Sequence, residues 1–144
     1  MTVPKYRKGT SPVPVPNPIS QPFWDATREH RLLIQRCANG HTFYYPRSHC
    51  PECLSNELSW VEASGKGTLY SFTVARRATS PDFEPDVPYV IAAVELAEGP
   101  RMTSMLVEAN VDAVAIGTPV ELVWDDEVSE ELSIPCFRPV NGRG

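Results

Sequence analysis

The chain lacks most of the features that assign a protein quickly. No stretch approaches the roughly 20 apolar residues that a membrane helix needs. The first sixteen residues, "MTVPKYRKGTSPVPVP", are basic but carry no apolar core of a secretory signal. A cytoplasmic protein is the expectation. There is no phosphate-cradling glycine loop, no nucleophile motif and no carboxylate pair set for a cleft, which leaves no catalytic constellation. Positive charge is scarce after residue 47, where six basic groups face sixteen acidic ones. That excess is a poor match to a phosphate backbone and disfavours nucleic acid. Cysteine is scarce too, at 4 in 144 residues, yet three of the four fall between positions 37 and 53.

What is present is uneven. Residues 1–47 hold seven basic groups and two acidic ones, so the basic third is the one face suited to an anionic ligand. Proline is abundant, at 15, and five prolines lie in the first 18 residues. "SPVPVPNP" has neither the N–H groups nor the φ freedom for helix or central strand. Residues 1–19 are therefore an extended, polyproline-like arm, either disordered or laid on a partner. Residues 20–31 then suit a short helix, with Ser20 as its N-cap and Pro22 in its first turn. A helix this short is unstable alone, so Phe23 and Trp24 must pack on something. That something is the chain's own ribbon or barrel, or another subunit. Asp25, Glu29 and His30 suit a solvated helix face.

"LLIQRC" and "TFYYPR" predict a small hairpin over residues 32–56 that carries the cysteine segment "RCANGHTFYYPRSHCPECLS". Cys50-Pro51-Glu52-Cys53 has the spacing of a zinc knuckle. The other knuckle has Gly40 where a second cysteine would stand, and His41 one position later. Imidazole reaches further than thiolate, so Cys37, His41, Cys50 and Cys53 form a candidate tetrahedral zinc site. The other reading is a metal-free ribbon held by Phe43, Tyr44 and Tyr45. A redox pair would need a βαβ context that the sequence does not have. His49 points away from the site in this reading, and isolated Cys136 is a small buried residue.

Residues 57–140 are rich in β-branched and aromatic residues. "ELSWVEA", "GTLYSFTVARR", "PYVIAAVELAE", "RMTSMLVEA" and "TPVELVWDDE" make five strands, and "IPCFRPV" is a short extended close. Five strands suit a small OB-fold barrel, whereas a sandwich usually wants seven. The fold class is thus mainly β: an N-terminal helix, a small rubredoxin-like ribbon and a five-stranded OB barrel. Period-2 patterning turns Trp60, Leu69, Phe72, Val90, Ala92, Val94, Leu106, Val120 and Leu122 inward.

The order of these stretches, over roughly residues 20 to 140, resembles a family of small proteins that pair a rubredoxin-like zinc ribbon with an OB-fold. Members accompany thiolases, thiolase-like lipid-transfer proteins and hydratases of acyl-CoA metabolism. Pro46-Arg47 with Cys50 and Cys53 matches the family pattern, as does Cys37, while Gly40 departs from it. The resemblance implies a non-catalytic accessory subunit that docks a thiolase-like, aldolase or hydratase enzyme, with zinc in the ribbon and a coenzyme A thioester as ligand. On this view Phe23 and Trp24 with Arg28, Arg31, Arg36 and Arg47 form the partner- or ligand-binding face, and the ribbon–barrel junction faces the cofactor. A single-strand-binding OB protein is the reading from another class.

Overall fold

The computed structural model describes residues 1–140. A short helix, α1 (Gln21–Thr27), leads into a ribbon of β1 (Leu33–Cys37), β2 (Thr42–Phe43) and β3 (Leu58–Glu62). The barrel follows: β4 (Lys66–Ala75), β5 (Tyr89–Leu96), β6 (Arg101–Leu106), β7 (Pro119–Asp125) and β8 (Ile134–Pro139). A 3-10 segment, Pro81–Asp86, links β4 to β5. The ribbon sheet has the order β2-β1-β3, and the barrel closes as β4-β5-β6-β8-β7. Closure removes the exposed strand edges that five open strands would leave. Among the described residues no helix is long and apolar enough to cross a membrane.

The expected fold class holds, with two strands reassigned. "ELSWVEA" supplies β3, which pairs with β1 from Leu33–Glu62 to Cys37–Leu58 and so belongs to the ribbon sheet. A two-stranded hairpin is marginal in water, and the third strand gives the ribbon an apolar face to bury. The vacant place in the barrel is taken by β8, from the stretch expected only to trail away. β8 pairs with β7 over its whole length but meets β6 in register at one pair, Leu106 and Phe137. Its two prolines therefore interrupt few ladder bonds.

Leu69, Val90, Ala92, Val94, Leu106 and Val120 are buried as the alternation predicts. Trp60, Phe72 and Leu122 pack against that core only half-buried. Phe137 and Phe23, neither on the predicted list, are fully buried.

The helix is shorter than expected. Ser20 makes no capping bond with its side chain to the helix. Instead Asn17 and Ser20 bond reciprocally: the Ser20 N–H donates to Asn17 Oδ1 at 2.8 Å and the Asn17 N–H to Ser20 Oγ at 3.1 Å. Thr27 ends the helix by donating Oγ1–H to the Trp24 carbonyl at 2.6 Å and accepting the Ser133 N–H at 3.0 Å, which ties α1 to the barrel.

The arm lies on the chain's own barrel. Val3 is buried, its N–H donates to the Ala109 carbonyl, and its carbonyl accepts the Glu108 N–H, both at 2.8 Å. Residues 1–3 thus run antiparallel beside residues 108–111, joined there by an isolated bridge between Thr2 and Asn110 outside the barrel strands.

Candidate metal centre and junction cavity

Both knuckles are shaped by the backbone before any metal is considered. At the end of β1 the Cys37 N–H donates to the His41 carbonyl at 2.9 Å, and the Gly40 N–H to the Cys37 carbonyl at 2.9 Å. This tight turn puts Gly40 at φ +88, a region where a side chain is strained. The missing cysteine is thus a turn glycine, and the next residue, His41, swings into the site. In the second knuckle the Cys50 carbonyl accepts the Leu54 N–H at 2.9 Å, and the Glu52 N–H points at Cys50 Sγ at 3.4 Å.

The ligand atoms of Cys37, His41, Cys50 and Cys53 all lie within 4.8 Å of one another. Zinc–sulfur bonds of about 2.3 Å and zinc–nitrogen bonds of about 2.0–2.1 Å imply tetrahedral edges of about 3.8 Å between sulfurs and about 3.6 Å between sulfur and nitrogen. Cys37 Sγ and Cys53 Sγ are 3.7 Å apart. His41 Nδ1 is 3.4 Å from Cys37 Sγ and 3.7 Å from Cys50 Sγ. The donor set therefore fits a tetrahedral ion, and Nδ1 is the nitrogen that faces it. His41 Nε2 lies 3.5 Å from Glu52 Oε2, the carboxylate-to-imidazole arrangement that orients ligating histidines.

The electrostatics favour thiolate at two of the three ribbon cysteines. The Asn39 side-chain amide, 3.3 Å from Cys53 Sγ, together with the Ser55 N–H lowers the Cys53 thiol to about 6. Burial opposes ionisation of Cys37, but N–H groups of His41 and Asn39 outweigh it and hold that thiol below its ordinary value. Cys50, wholly buried, is pushed up by desolvation. His49 stands outside the cluster, its Nδ1 2.9 Å from Ser48 Oγ. Cys136 is buried among barrel side chains, where desolvation pushes its thiol up to about 12 and keeps it neutral.

The residues expected at a docking face divide. Phe23 and Trp24 lie inside, a correction to the reading that gave them to a partner. The Phe23 ring meets Trp24, Tyr44 and Tyr45 edge-on at 4.9, 5.8 and 5.5 Å. The Trp24 Nε1–H donates to the Tyr45 hydroxyl at 2.9 Å. The tyrosines of the ribbon supply the surface that so short a helix needs. Arg28 reaches Asp126 at 3.8 Å and Arg31 reaches Glu62 at 2.9 Å, so both cations are neutralised locally. Arg36 and Arg47 have no ion-pair partner among the described residues, and both are exposed. The loop carrying Arg47 is held by buried Gln35, which accepts the Arg47 N–H at 2.7 Å and donates to its carbonyl at 3.1 Å.

Of two further features, the first escaped the sequence reading and the second lies at the ribbon–barrel junction that was expected to face a cofactor. His30, at φ 57, stacks on Trp124 with centroids 5.4 Å apart and places Nε2 2.8 Å from Asp126 Oδ1. Asp126 also accepts from Ser133 Oγ, so the helix end is locked to the β7–β8 loop. The second is a cavity of about 440 Å³ where helix, ribbon and barrel meet, lined by Trp24, Tyr44, Tyr89, Met105, Ile134 and Cys136 among others. The spacing of the aromatics in "HTFYYP" hinted at a packed ribbon; nothing in the sequence placed β8 beside it.

Comparison with known proteins agrees with this architecture. Residues 24–59 match the family described as ChsH2, rubredoxin-like zinc ribbon domain, and residues 60–125 match ChsH2, C-terminal OB-fold domain. A probable enoyl-CoA hydratase alpha subunit of Thermomonospora curvata is 45% identical over 119 residues, covering 81% of this chain. This chain spans only 36% of that relative's length. A DUF35 domain-containing scaffold protein of Methanocaldococcus jannaschii is 41% identical over 104 residues, 70% of this chain and 73% of its own. Among solved structures, a chain of the Ltp2-ChsH2(DUF35) aldolase superposes with a TM-score of 0.77 at 41% identity, over 88% of this chain and 98% of that one.

Proposed function

The chain belongs to the DUF35 family, in the ChsH2 form that joins a zinc ribbon to an OB-fold, and from that premise we propose that it is a non-catalytic accessory subunit of a thiolase-like, aldolase or hydratase complex acting on acyl-CoA thioesters. The observation that carries this reading is the likeness to the DUF35 chain of an aldolase assembly, which extends over nearly all of that chain. The hydratase name belongs to a relative of which this chain matches about a third, so it does not make this chain the seat of hydration. The arrangement of groups supports the same view. The cysteine–histidine cluster uses all four donors on one tetrahedron and leaves no open position for a substrate, which is the pattern of structural rather than catalytic zinc.

Cys37, His41, Cys50 and Cys53 are the proposed zinc ligands, and the ion's part is to hold the two knuckles together. A coenzyme A thioester is the proposed small ligand. Exposed, unpaired Arg36 and Arg47 suit its phosphates, since arginine grips phosphate bidentately. The junction cavity suits its apolar portion. The cytoplasm is the proposed compartment, as a reducing setting keeps the ribbon thiols free for metal. The test is co-purification: the tagged chain, expressed at native level, should bring down a thiolase-like, aldolase or hydratase subunit identified by mass spectrometry. Recovery without any such enzyme would overturn the reading.

A further inference from the structure

Beside the junction cavity lies a second, smaller one of about 170 Å³, floored by Lys5, Arg7, Ser11 and Pro12 of the N-terminal arm. Four side chains line both cavities: Phe83, Met105, Ile134 and Cys136. Met105 stands on β6, and Ile134 and Cys136 on β8, so three of the four belong to the barrel frame. Phe83 alone stands on the 3-10 segment, which joins no sheet. Phe83 is therefore the one member of the partition whose backbone is not fixed by the barrel's strand pairing.

The Phe83 ring is held from the arm. The Arg7 guanidinium lies over it, with Cζ 3.8 Å from the ring centroid. Arg7 Nε–H donates to Asp86 Oδ2 at 3.1 Å, and its NH2 group to the Asp82 carbonyl at 2.7 Å. The Asp86 carboxylate also accepts the Lys8 N–H at 2.6 Å and the Gly9 N–H at 3.1 Å. The Arg7 and Asp86 side chains are only 12% and 5% exposed, so water does not loosen the pair. At Gly9 a Cβ would fall 1.9 Å from the Asp82 carbonyl oxygen, so the arm can lie this close only because residue 9 has no side chain. The strand-like pairing of residues 1–3 anchors the strap upstream.

The larger cavity alone lies within the range of about 300–1,000 Å³ typical of small-molecule sites, and the smaller alone does not. Two of the larger cavity's polar neighbours are already engaged, Trp24 Nε1–H with Tyr45 and Ser104 Oγ–H with the Pro135 carbonyl at 2.7 Å, and the rest of its polar lining is neutral hydroxyl. The neutral Cys136 thiol adds no charge to the wall. Exposed Arg76 and Arg77 follow β4 directly, just before lining residue Thr79, and have no ion-pair partner among the described residues, which favours an amphiphile with an anionic head over a second protein.

We propose that Phe83, clamped by Arg7, is the size-determining wall of a site for the alkyl part of an anionic amphiphile, and that moving its ring joins the two cavities into one longer apolar channel. This deepens the proposed function by assigning the acyl portion of the ligand and a residue that limits its length. The rest of that reading, the partner class, is tested separately by co-purification.

The experiment is isothermal titration of the full-length chain with octanoate, dodecanoate and hexadecanoate. It compares wild type with Phe83→Ala, Phe83→Leu and Phe83→Trp, each checked for native circular dichroism. Wild type should prefer a shorter chain. Phe83→Ala should gain about tenfold or more for hexadecanoate with octanoate little changed, since each added methylene accommodated is worth roughly tenfold or more in a fitted pocket. Phe83→Leu should fall between, and Phe83→Trp should shorten the preference. Arg7→Met, which frees the ring while leaving the Lys8 and Gly9 N–H groups on Asp86, should shift it the same way as Phe83→Ala. Chain-length preference that is the same across the series overturns the proposal, and so does failure of every variant to bind any of the three carboxylates.

Discussion

Replacing Phe23 by alanine separates internal packing from docking at the helix. The ring is wholly buried and meets three other aromatic rings edge-on, while its helix has only seven residues. Truncating a fully buried phenylalanine costs about 3–5 kcal/mol, with edge-on aromatic pairs adding about 0.5–1.5 kcal/mol each where they persist. The short helix cannot collapse inward without dragging Thr27 from Ser133, so the upper part of the range applies, at about 4–5 kcal/mol. Domains are stable by about 5–15 kcal/mol in all, so most of the margin goes. The assay is equilibrium urea unfolding followed by far-ultraviolet circular dichroism, with metal and pH held fixed. A loss below about 1 kcal/mol would refute the packing account, because a buried ring cannot be removed so cheaply. If that small loss came with loss of a partner enzyme, the aromatic pair would be a docking hot spot instead.

Other outcomes follow from the same geometry. Purified protein should carry close to one zinc per chain by elemental analysis, and Cys50→Ser should abolish it; metal-free protein from reducing, zinc-replete preparation would contradict the tetrahedral reading. Zinc should be lost as pH falls, because thiolates must take up protons to let it go, and chelator titration from neutral to acid pH measures this. Gly40→Ala, forcing a side chain to φ +88, should destabilise by roughly 1–2 kcal/mol, read by the same urea titration. Burial pushes the Asp126 carboxyl up, but bonds from Ser133 and His30 and nearby Arg28 hold it below its ordinary value. A carboxyl lowered in the folded state adds stability that is present above its unfolded value and lost as pH falls through the folded one. Asp126→Asn should therefore flatten the acid limb of a plot of Tm against pH; an unchanged limb would count against the lock.

Most of the ribbon was legible because its chemistry is local. Cys50 and Cys53 fix a knuckle by spacing, and the aromatic run after His41 announces a packed hairpin. Gly40 was ambiguous for a physical reason: a glycine in place of a cysteine reads as a lost ligand until its positive φ shows that the turn requires it. Strand existence in the barrel was also legible, since alternation is a property of each segment. Strand partnership was not, because periodicity says which face is buried and not against what. "ELSWVEA" thus went to the barrel in the sequence reading and to the ribbon in the fold, while "IPCFRPV", expected only as a short extended close, is a barrel strand. Prolines misled twice, at β8 and in the arm. In both places the chain tolerates them because few ladder bonds depend on those residues. The Arg7–Asp86 clamp joins positions 79 apart in sequence, and no pattern signals such a pair. The docking face drawn around Phe23 and Trp24 failed because hydrophobicity marks a residue that must be covered without naming the cover.

The central claim, that this chain serves a CoA-thioester enzyme without doing chemistry itself, is tested most directly by reconstitution. The co-purifying enzyme is assayed on its acyl-CoA substrate alone, with the purified wild-type chain, and with the Cys50→Ser variant, while the chain is also assayed by itself. The account predicts no turnover by the chain alone, a partner rate that rises on addition of wild type, and little rise with Cys50→Ser. Turnover of an acyl-CoA thioester by the isolated chain, or a partner rate indifferent to its presence, would contradict it.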